Sequence, residues 1–403
     1  MNVALRQNSP ARLHDMMPDR RSVPGIARLQ VHEDLAQAEP AWRRLQGSDA
    51  LTTPYQRFEW IALWHRHVSV QRGVTPLIVV GYDRYNSPLF LWPLARRRLG
   101  PLTIAEYFGG RHANINAGLW RREAAATMTA DDINAALSEV AGLHGVDLFM
   151  LLGQPAQLNG VANPLSLLPH CDSPDEVFAL SLVGDTPEAA LKQAVGGNMR
   201  GRLRGKERKL QALDGYRYLS PSTAAETDRI LEAFFLQKAA RLAAQGIDNA
   251  FADPDIAAFI RAGCHEGLAV GRPVIELHAL EGGGEVIAVF GGARDARRMS
   301  CMFNSYTLGD SGRWSPGLVL VTHMIMRCAE QGLTKFDLGV GYAAYKSFFC
   351  REVEKSFDSF IPFTPLGRLA AVCQQSTRQI KRRIKSNPYL WDAAQALRRR
   401  LGV

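Results

Sequence analysis

Residues 298–340 read RMSCMFNSYTLGDSGRWSPGLVLVTHMIMRCAEQGLTKFDLGV. Arg298–Thr307 is a strand-like run, and Gly317–Gln331 is apolar over a helical length. Ser315-Pro316 opens that helix and Gly332 closes it, since proline suits a first turn and glycine a left-handed cap. Lys335–Val340 follows as a short apolar run around one carboxylate, Asp337, which predicts a buried strand. Strand, helix and strand in direct succession predict an α/β fold.

The same reading extends both ways. Upstream, Pro273–Leu280 and Glu285–Arg294 are strands joined by the hairpin turn Glu281-Gly-Gly-Gly284. Before them, Tyr216–Ser220 is a short strand, Thr223–Ala244 a helix, and Pro254 opens another helix through Gly267. Downstream come a short helix near Ala343–Phe349 and a strand at Lys355–Phe363. The first half repeats the order. Helices are expected at Asp34–Gln46, Gln56–His67 and Ala130–Gly145, and strands at Thr75–Asp83, Pro88–Arg97, Leu102–Phe108 and Val146–Leu152. Corresponding elements recur at offsets of about 188 to 197 residues, so the chain reads as two copies of one fold. The expected divisions are a flexible leader (1–28), an N-terminal domain (29–184), a C-terminal domain (185–365) and a basic helical tail (366–403).

Composition supports this plan. The 403 residues are 46% hydrophobic and 22% charged, enough for two domains without metal or disulfide support. The net charge is +9, but residues 366–403 hold nine basic side chains against the single acid Asp392. The body is therefore nearly neutral, which excludes a diffuse nucleic-acid-binding surface. Six cysteines, with no C-x-x-C and no zinc spacing, read as reduced thiols. The N-terminus has no apolar segment of the secretory kind, so a cytoplasmic protein is expected. In the tail, Leu369, Val372, Ile380, Ile384 and Trp391 alternate with arginines and lysines. That pattern suits a helix on anionic lipid at the inner membrane, a helix packed on the body, or a contact with tRNA phosphate.

Several strings then carry a resemblance: Thr53–Trp60 (TPYQRFEW), Asn198–Arg204 (NMRGRLR), Phe235–Arg241 (FLQKAAR), Met302–Tyr306 (MFNSY), Ser315-Pro-Gly317, Phe336–Gly339 (FDLG) and Tyr345-Lys346. In this order the chain resembles the GNAT acyltransferase superfamily. Within it, the chain is similar to the CelD/BcsL-like branch of cellulose and exopolysaccharide biosynthesis and to two-domain FemAB-type aminoacyl transferases. The resemblance implies tandem GNAT-like domains with mixed central sheets. It also implies acyl transfer to an amine or hydroxyl of a polysaccharide or envelope precursor, with acetyl-CoA or another acyl-CoA as co-substrate and no metal. An aminoacyl-tRNA-dependent transferase and a non-catalytic assembly factor are the alternatives.

A GNAT-type reaction needs a donor at the carbonyl oxygen, a source of protons and a holder for the donor's phosphates. The expected catalytic residues are Asn304 at the carbonyl oxygen and Asp337, Tyr345 and Lys346 for proton transfer and charge, and the donor's phosphates are expected at Arg313, Ser315 and Gly317 at the helix entrance. The expected substrate-binding residues are Glu59, Arg200, Arg204, Lys238, Arg241 and Tyr306. Arg200 and Arg204 lie in the stretch 196–209, which holds four arginines and two lysines against one glutamate. The loop departs from the pattern R-x-x-G-x-G/A. Counting from Arg313, Pro316 and Leu318 stand where small residues with free amides belong. The fold reading thus makes one geometric demand: Asn304, Asp337 and Lys346 must share a cavity.

Overall fold

The computed structural model describes residues 25–387, apart from Ser48 and Asp185. The leader up to residue 24 and the tail beyond 387 lie outside the described residues.

The first half contains β1 (Arg28–His32), α1 (Leu35–Leu45), α2 (Phe58–Trp64), β2 (Thr75–Tyr82), β3 (Pro88–Leu99), β4 (Leu102–Tyr107) and β5 (Leu119–Trp120). It continues through α3 (Arg122–Thr127), α4 (Ala130–His144), β6 (Leu148–Pro155), the small hairpin β7 (Gln157–Leu158) and β8 (Val161–Ala162), and β9 (Cys171–Asp172). Then come β10 (Val177–Ser181), α5 (Pro187–Ala194), α6 (Gly197–Gln211), β11 (Arg217–Leu219), α7 (Ala224–Gln245) and α8 (Pro254–His265). The remainder is β12 (Glu276–Gly282), β13 (Glu285–Arg294), β14 (Arg298–Tyr306), α9 (Pro316–Glu330), β15 (Lys335–Val340), β16 (Glu352–Glu354), β17 (Ser356–Pro362) and α10 (Pro365–Ser386).

Two mixed sheets result. The first runs β1-β2-β3-β4-β6-β17-β9, with β5 beside β3, and the second runs β11-β12-β13-β14-β15-β10-β16. The five leading strands of each correspond one to one. In both, the fourth and fifth strands are parallel for three residue pairs only: Ile104–Glu106 with Leu148–Met150, and Arg298–Ser300 with Lys335–Asp337.

The sixth strands are exchanged. β10 precedes the second half in sequence position yet pairs antiparallel with β15, and β17 returns from the C-terminal side to pair with β6. This corrects the division at 184/185 and at 365. Val177–Ser181 is built into the second sheet and Ser356–Pro362 into the first, because each parting sheet leaves an unpaired backbone edge that a strand must cover.

One apolar core crosses between the halves. Trp60 and Trp64 of α2 stack at 5.6 Å, and Phe259 of α8 meets each edge-on at 5.1 Å. His112 sits at this seam, its ring 5.7 Å from both Trp64 and Phe251. Burial first, then Arg111 and Arg72, push its imidazole down to about 4.

That depression fixes a pH dependence. The folded chain keeps His112 neutral while the unfolded chain takes up a proton below about 6.5, so stability is full above that pH and falls as pH drops toward 4. His32, His65 and His278 are lowered by burial as well and add to the slope. Urea unfolding between pH 7 and 4.5 should show the loss, with His112 contributing up to about 3 kcal/mol, and His112→Asn should flatten that share.

Candidate active site

Beyond Ser300 and Asp337, β14 and β15 separate, and the space between them opens into a cavity of about 700 Å³. A bulge at Met302 of β14, opposite Gly291 and Gly292 of β13, bends β14 at the same level. At the end of β15 the chain turns through Gly339 and Gly341, both left-handed at φ +74° and +86°. That turn brings Tyr345 and Lys346 back over the opening. The cavity is lined by Asn304 and Tyr306 of β14, Lys238 and Arg241 of α7, Ser315 and Gly317 at the start of α9, and Tyr345 and Lys346. Eight of the expected site residues therefore meet in one place.

Asp337 does not. It is fully buried and faces away from the cavity into a closed set of partners. Arg298 Nε donates to its Oδ2 at 2.6 Å, while Ser300 Oγ and the Gly339 amide both donate to Oδ1 at 2.8 Å. Arg298 also reaches Glu354 on β16 at 2.8 Å. Nor does Lys346 pair with Asp337: its Nζ donates to the carbonyls of Gly339 at 3.2 Å and Val340 at 2.8 Å. A carboxylate this deep is held by its ion pair and hydrogen bonds, so Asp337 pins the parting point instead of facing substrate.

The cavity wall is cationic. Lys238 Nζ donates to the Asn304 carbonyl at 3.2 Å, and the Arg241 guanidinium lies 4.5 Å over the Tyr306 ring. Burial depresses both Lys238 and Lys346; for Lys238 the neighbouring Arg241 and Lys346 add to it. Asn304 Nδ2 donates to the Tyr345 hydroxyl at 3.0 Å, and burial raises that phenol above its ordinary value. No Asp or Glu is among the described residues lining the cavity. Cys301 is there, but burial pushes its thiol up to about 12, which keeps it protonated and unreactive.

The helix entrance is sparing in donors. Pro316 has no amide, and the amides of Leu318 and Val319 both bond the Ser315 carbonyl, leaving Gly317 as the accessible amide of the first turn. Ser315 is itself left-handed at φ +53°, and its hydroxyl meets Lys206 Nζ of α6 at 2.5 Å.

The remaining candidates lie elsewhere. Glu59 is paired with Arg43 and Arg57 and bonded to Gln46, an ion cluster between α1 and α2. Its distance from the cavity follows from α2, which turns Trp60 and Trp64 into the core and Glu59 outward. Arg313 stacks 4.7 Å over Trp314, and neither it, Arg200 nor Arg204 lines the cavity. Arg204 projects to solvent from α6. Among the wall residues that the sequence reading did not name as site residues is Asn114, contributed by the first half. It stands in an irregular loop, where no periodicity signals a partner.

Asp337→Asn tests the structural reading of that carboxylate. It leaves Arg298 short of a counter-charge, and chemical denaturation should show a loss of about 3 kcal/mol.

Comparison with known proteins bears on this geometry. Residues 197–347 match the family model described as an acetyltransferase (GNAT) domain. No curated protein sequence matches the chain. Among solved structures, FemX is similar at 10% identity, covering 85% of this chain and all of that one, with a TM-score of 0.58. A conserved protein of unknown function from Bacteroides thetaiotaomicron VPI-5482 is similar at 13% identity, covering 83% of this chain and all of its own, with a TM-score of 0.54. Such identities speak for the fold alone. Residues 197–347 thus match a GNAT-type acetyltransferase domain and carry the parted strands, and the same strand order occurs twice in the chain, once in each sheet.

Proposed function

We propose that the chain transfers an acyl group from an anionic donor, in the first place an acyl-CoA, to an amine or hydroxyl of a polysaccharide or envelope precursor. The observation that carries this is the cavity at the parted strands, where Lys238, Arg241 and Lys346 stand without an acid beside them. Three cations in a half-dry pocket favour phosphate-bearing ligands. The acceptor class follows from the resemblance to the polysaccharide-linked branch.

The chain's own groups suit the steps. The Asn304 carbonyl points at Lys238, so its amide leaves the same edge of β14, toward the cavity. An acyl oxygen seated there gains a donor as its charge develops, with Lys346 nearby. The acceptor's C–N or C–O bond forms as the donor's C–S bond breaks. Tyr345 serves the departing thiolate: its oxygen accepts from Asn304, which leaves the phenol proton free to be given away, and its raised affinity for that proton keeps it loaded at neutral pH. The acceptor's proton returns to the phenolate through solvent. With no carboxylate base at hand, an amine acceptor must arrive uncharged.

A second reading, aminoacyl-tRNA as donor, is favoured by two features. The α9 entrance offers a single free amide to a pyrophosphate, and α6 exposes Arg202, Arg204 and Arg208. We also infer that α10 meets an anionic lipid surface. Its inner side is fixed to the first sheet through Arg378 with Asp358 and Arg382 with Asp172, while Leu369, Val372 and Ile380 are more than half exposed. Among the described residues no helix is long and apolar enough to cross a membrane.

Calorimetry with acetyl-CoA tests the first donor, and gel retardation with tRNA the second; absence of binding to any acyl-CoA removes the first. Lys238→Met and Arg241→Met should each weaken donor binding. Tyr345→Phe should lower turnover by about 100-fold with donor affinity kept, read from steady-state kinetics. Flotation with phosphatidylglycerol vesicles should recover the protein, and Leu369→Asp with Val372→Asp should abolish recovery; equal recovery with neutral vesicles would contradict an anionic partner.

A further inference from the structure

Both sheets part between their fourth and fifth strands, yet the two partings are filled differently. A single segment, residues 113–117 (ANINA), serves both. At the first, Asn116 covers the β6 edge: its amide donates to the Gly153 carbonyl at 3.0 Å and its Nδ2 to the Leu152 carbonyl at 3.1 Å. Two residues earlier, Asn114 reaches the second with its side chain alone. Its Nδ2 donates to the Cys301 carbonyl of β14 at 2.8 Å and to the Tyr55 hydroxyl at 2.6 Å, and its Oδ1 accepts from the Val340 amide of β15 at 3.4 Å.

Asn114 thus stands where a backbone bond between β14 and β15 would otherwise form. It satisfies one group on each strand and leaves the strands one side chain apart. Gly339 accommodates it: a Cβ there would lie 2.9 Å from Nδ2. The wedge is anchored behind. Tyr55 accepts from Asn114 and donates to Ser300 Oγ at 2.8 Å, and Ser300 donates to the buried Asp337. Both strands that Asn114 ties carry groups of the reaction: Asn304 lies three residues past Cys301, and Lys346 holds the Val340 carbonyl.

We propose that Asn114, supplied by the first half, is a positioning residue for acyl transfer: it sets the distance between the β14 edge and the Tyr345–Lys346 turn. The proposal rests on the acyl-transfer reading above. Donor phosphates are assigned to Lys238 and Arg241 on α7, so loss of the wedge disturbs the reacting centre more than donor capture.

The test compares wild-type chain, Asn114→Ala and Tyr55→Phe, using acetyl-CoA as probe. Hydrogen exchange is read at the Val340 amide, affinity by calorimetry and turnover by thiol release. For Asn114→Ala we expect exchange at Val340 faster by at least about tenfold, turnover lower by at least about tenfold, and a dissociation constant within about threefold of wild type. Tyr55→Phe should move all three the same way by less, and it decides the matter if Asn114→Ala does not fold. Unchanged exchange in the folded variants overturns the wedge. Faster exchange with unchanged turnover overturns its part in catalysis, and a loss confined to affinity makes Asn114 a donor contact instead. If the wild-type chain accepts no acyl-CoA, that donor assignment fails separately, and exchange alone judges the wedge.

Discussion

A carboxylate with no solvent exposure sits where the second sheet divides, and the surrounding structure answers to it. Asp337 must be paired, and Arg298, Ser300 and the Gly339 amide pair it. Those partners lie on both strands, so the ion pair closes β14 onto β15 at that level. Past it, the Asn114 side chain stands between the strands in place of a backbone bond. The bulge in the β13–β14 ladder and the left-handed turn at Gly339 carry them apart. The residue that carries the strongest chemical signal in the sequence is therefore a clasp, and the cavity begins where it ends.

Two exchanged strands and a shared aromatic core make the halves interdependent. β10 covers β15, and β17 covers β6, so neither sheet is complete from its own half. Phe259 fills the angle between Trp60 and Trp64 across the seam. The relay from Asn114 through Tyr55 and Ser300 to Asp337 crosses the same boundary, bonding the first half to the clasp itself. The first half is thus a wall of the site and a brace for it. At its own parting, Asn116 covers the β6 edge.

The electrostatics of the cavity follow from which side chains the fold turns inward. α7 contributes Lys238 and Arg241 three residues apart on one face, and the turn after β15 contributes Lys346. Acids outside the cavity are engaged in their own pairs: Glu207 with His323, Glu354 with Arg298 and Lys335, and the more distant Glu59 with Arg43. What remains facing the cavity is positive charge, an amide and a phenol. Such a set binds anions and stabilises an oxyanion, and it leaves proton removal to the substrate or to water.

Most local elements were legible in the sequence because their causes are local. Apolar periodicity, Pro316 at a first turn, Gly332 after a last one and the glycine hairpin at 281–284 act within a few residues, and the helices and strands around them fall within a few positions of expectation. The gathering of Asn304, Tyr345, Lys346, Lys238 and Arg241 was also within reach, since their strings keep a recognisable order. The short strand Val177–Ser181 was not, because its place is decided by an open edge on a sheet built mainly from residues a hundred positions later. Nor was the fate of Asp337, which depends on whether Arg298 or the cavity lies against it. Asn114 is the clearest case. Nothing in HANIN marks a partner, and only folding brings it between Cys301 and Val340. The sequence by itself determined which segments form strands and helices; the tertiary structure alone decided which buried polar groups meet, since hydrogen-bond partners far apart in the chain are chosen by packing.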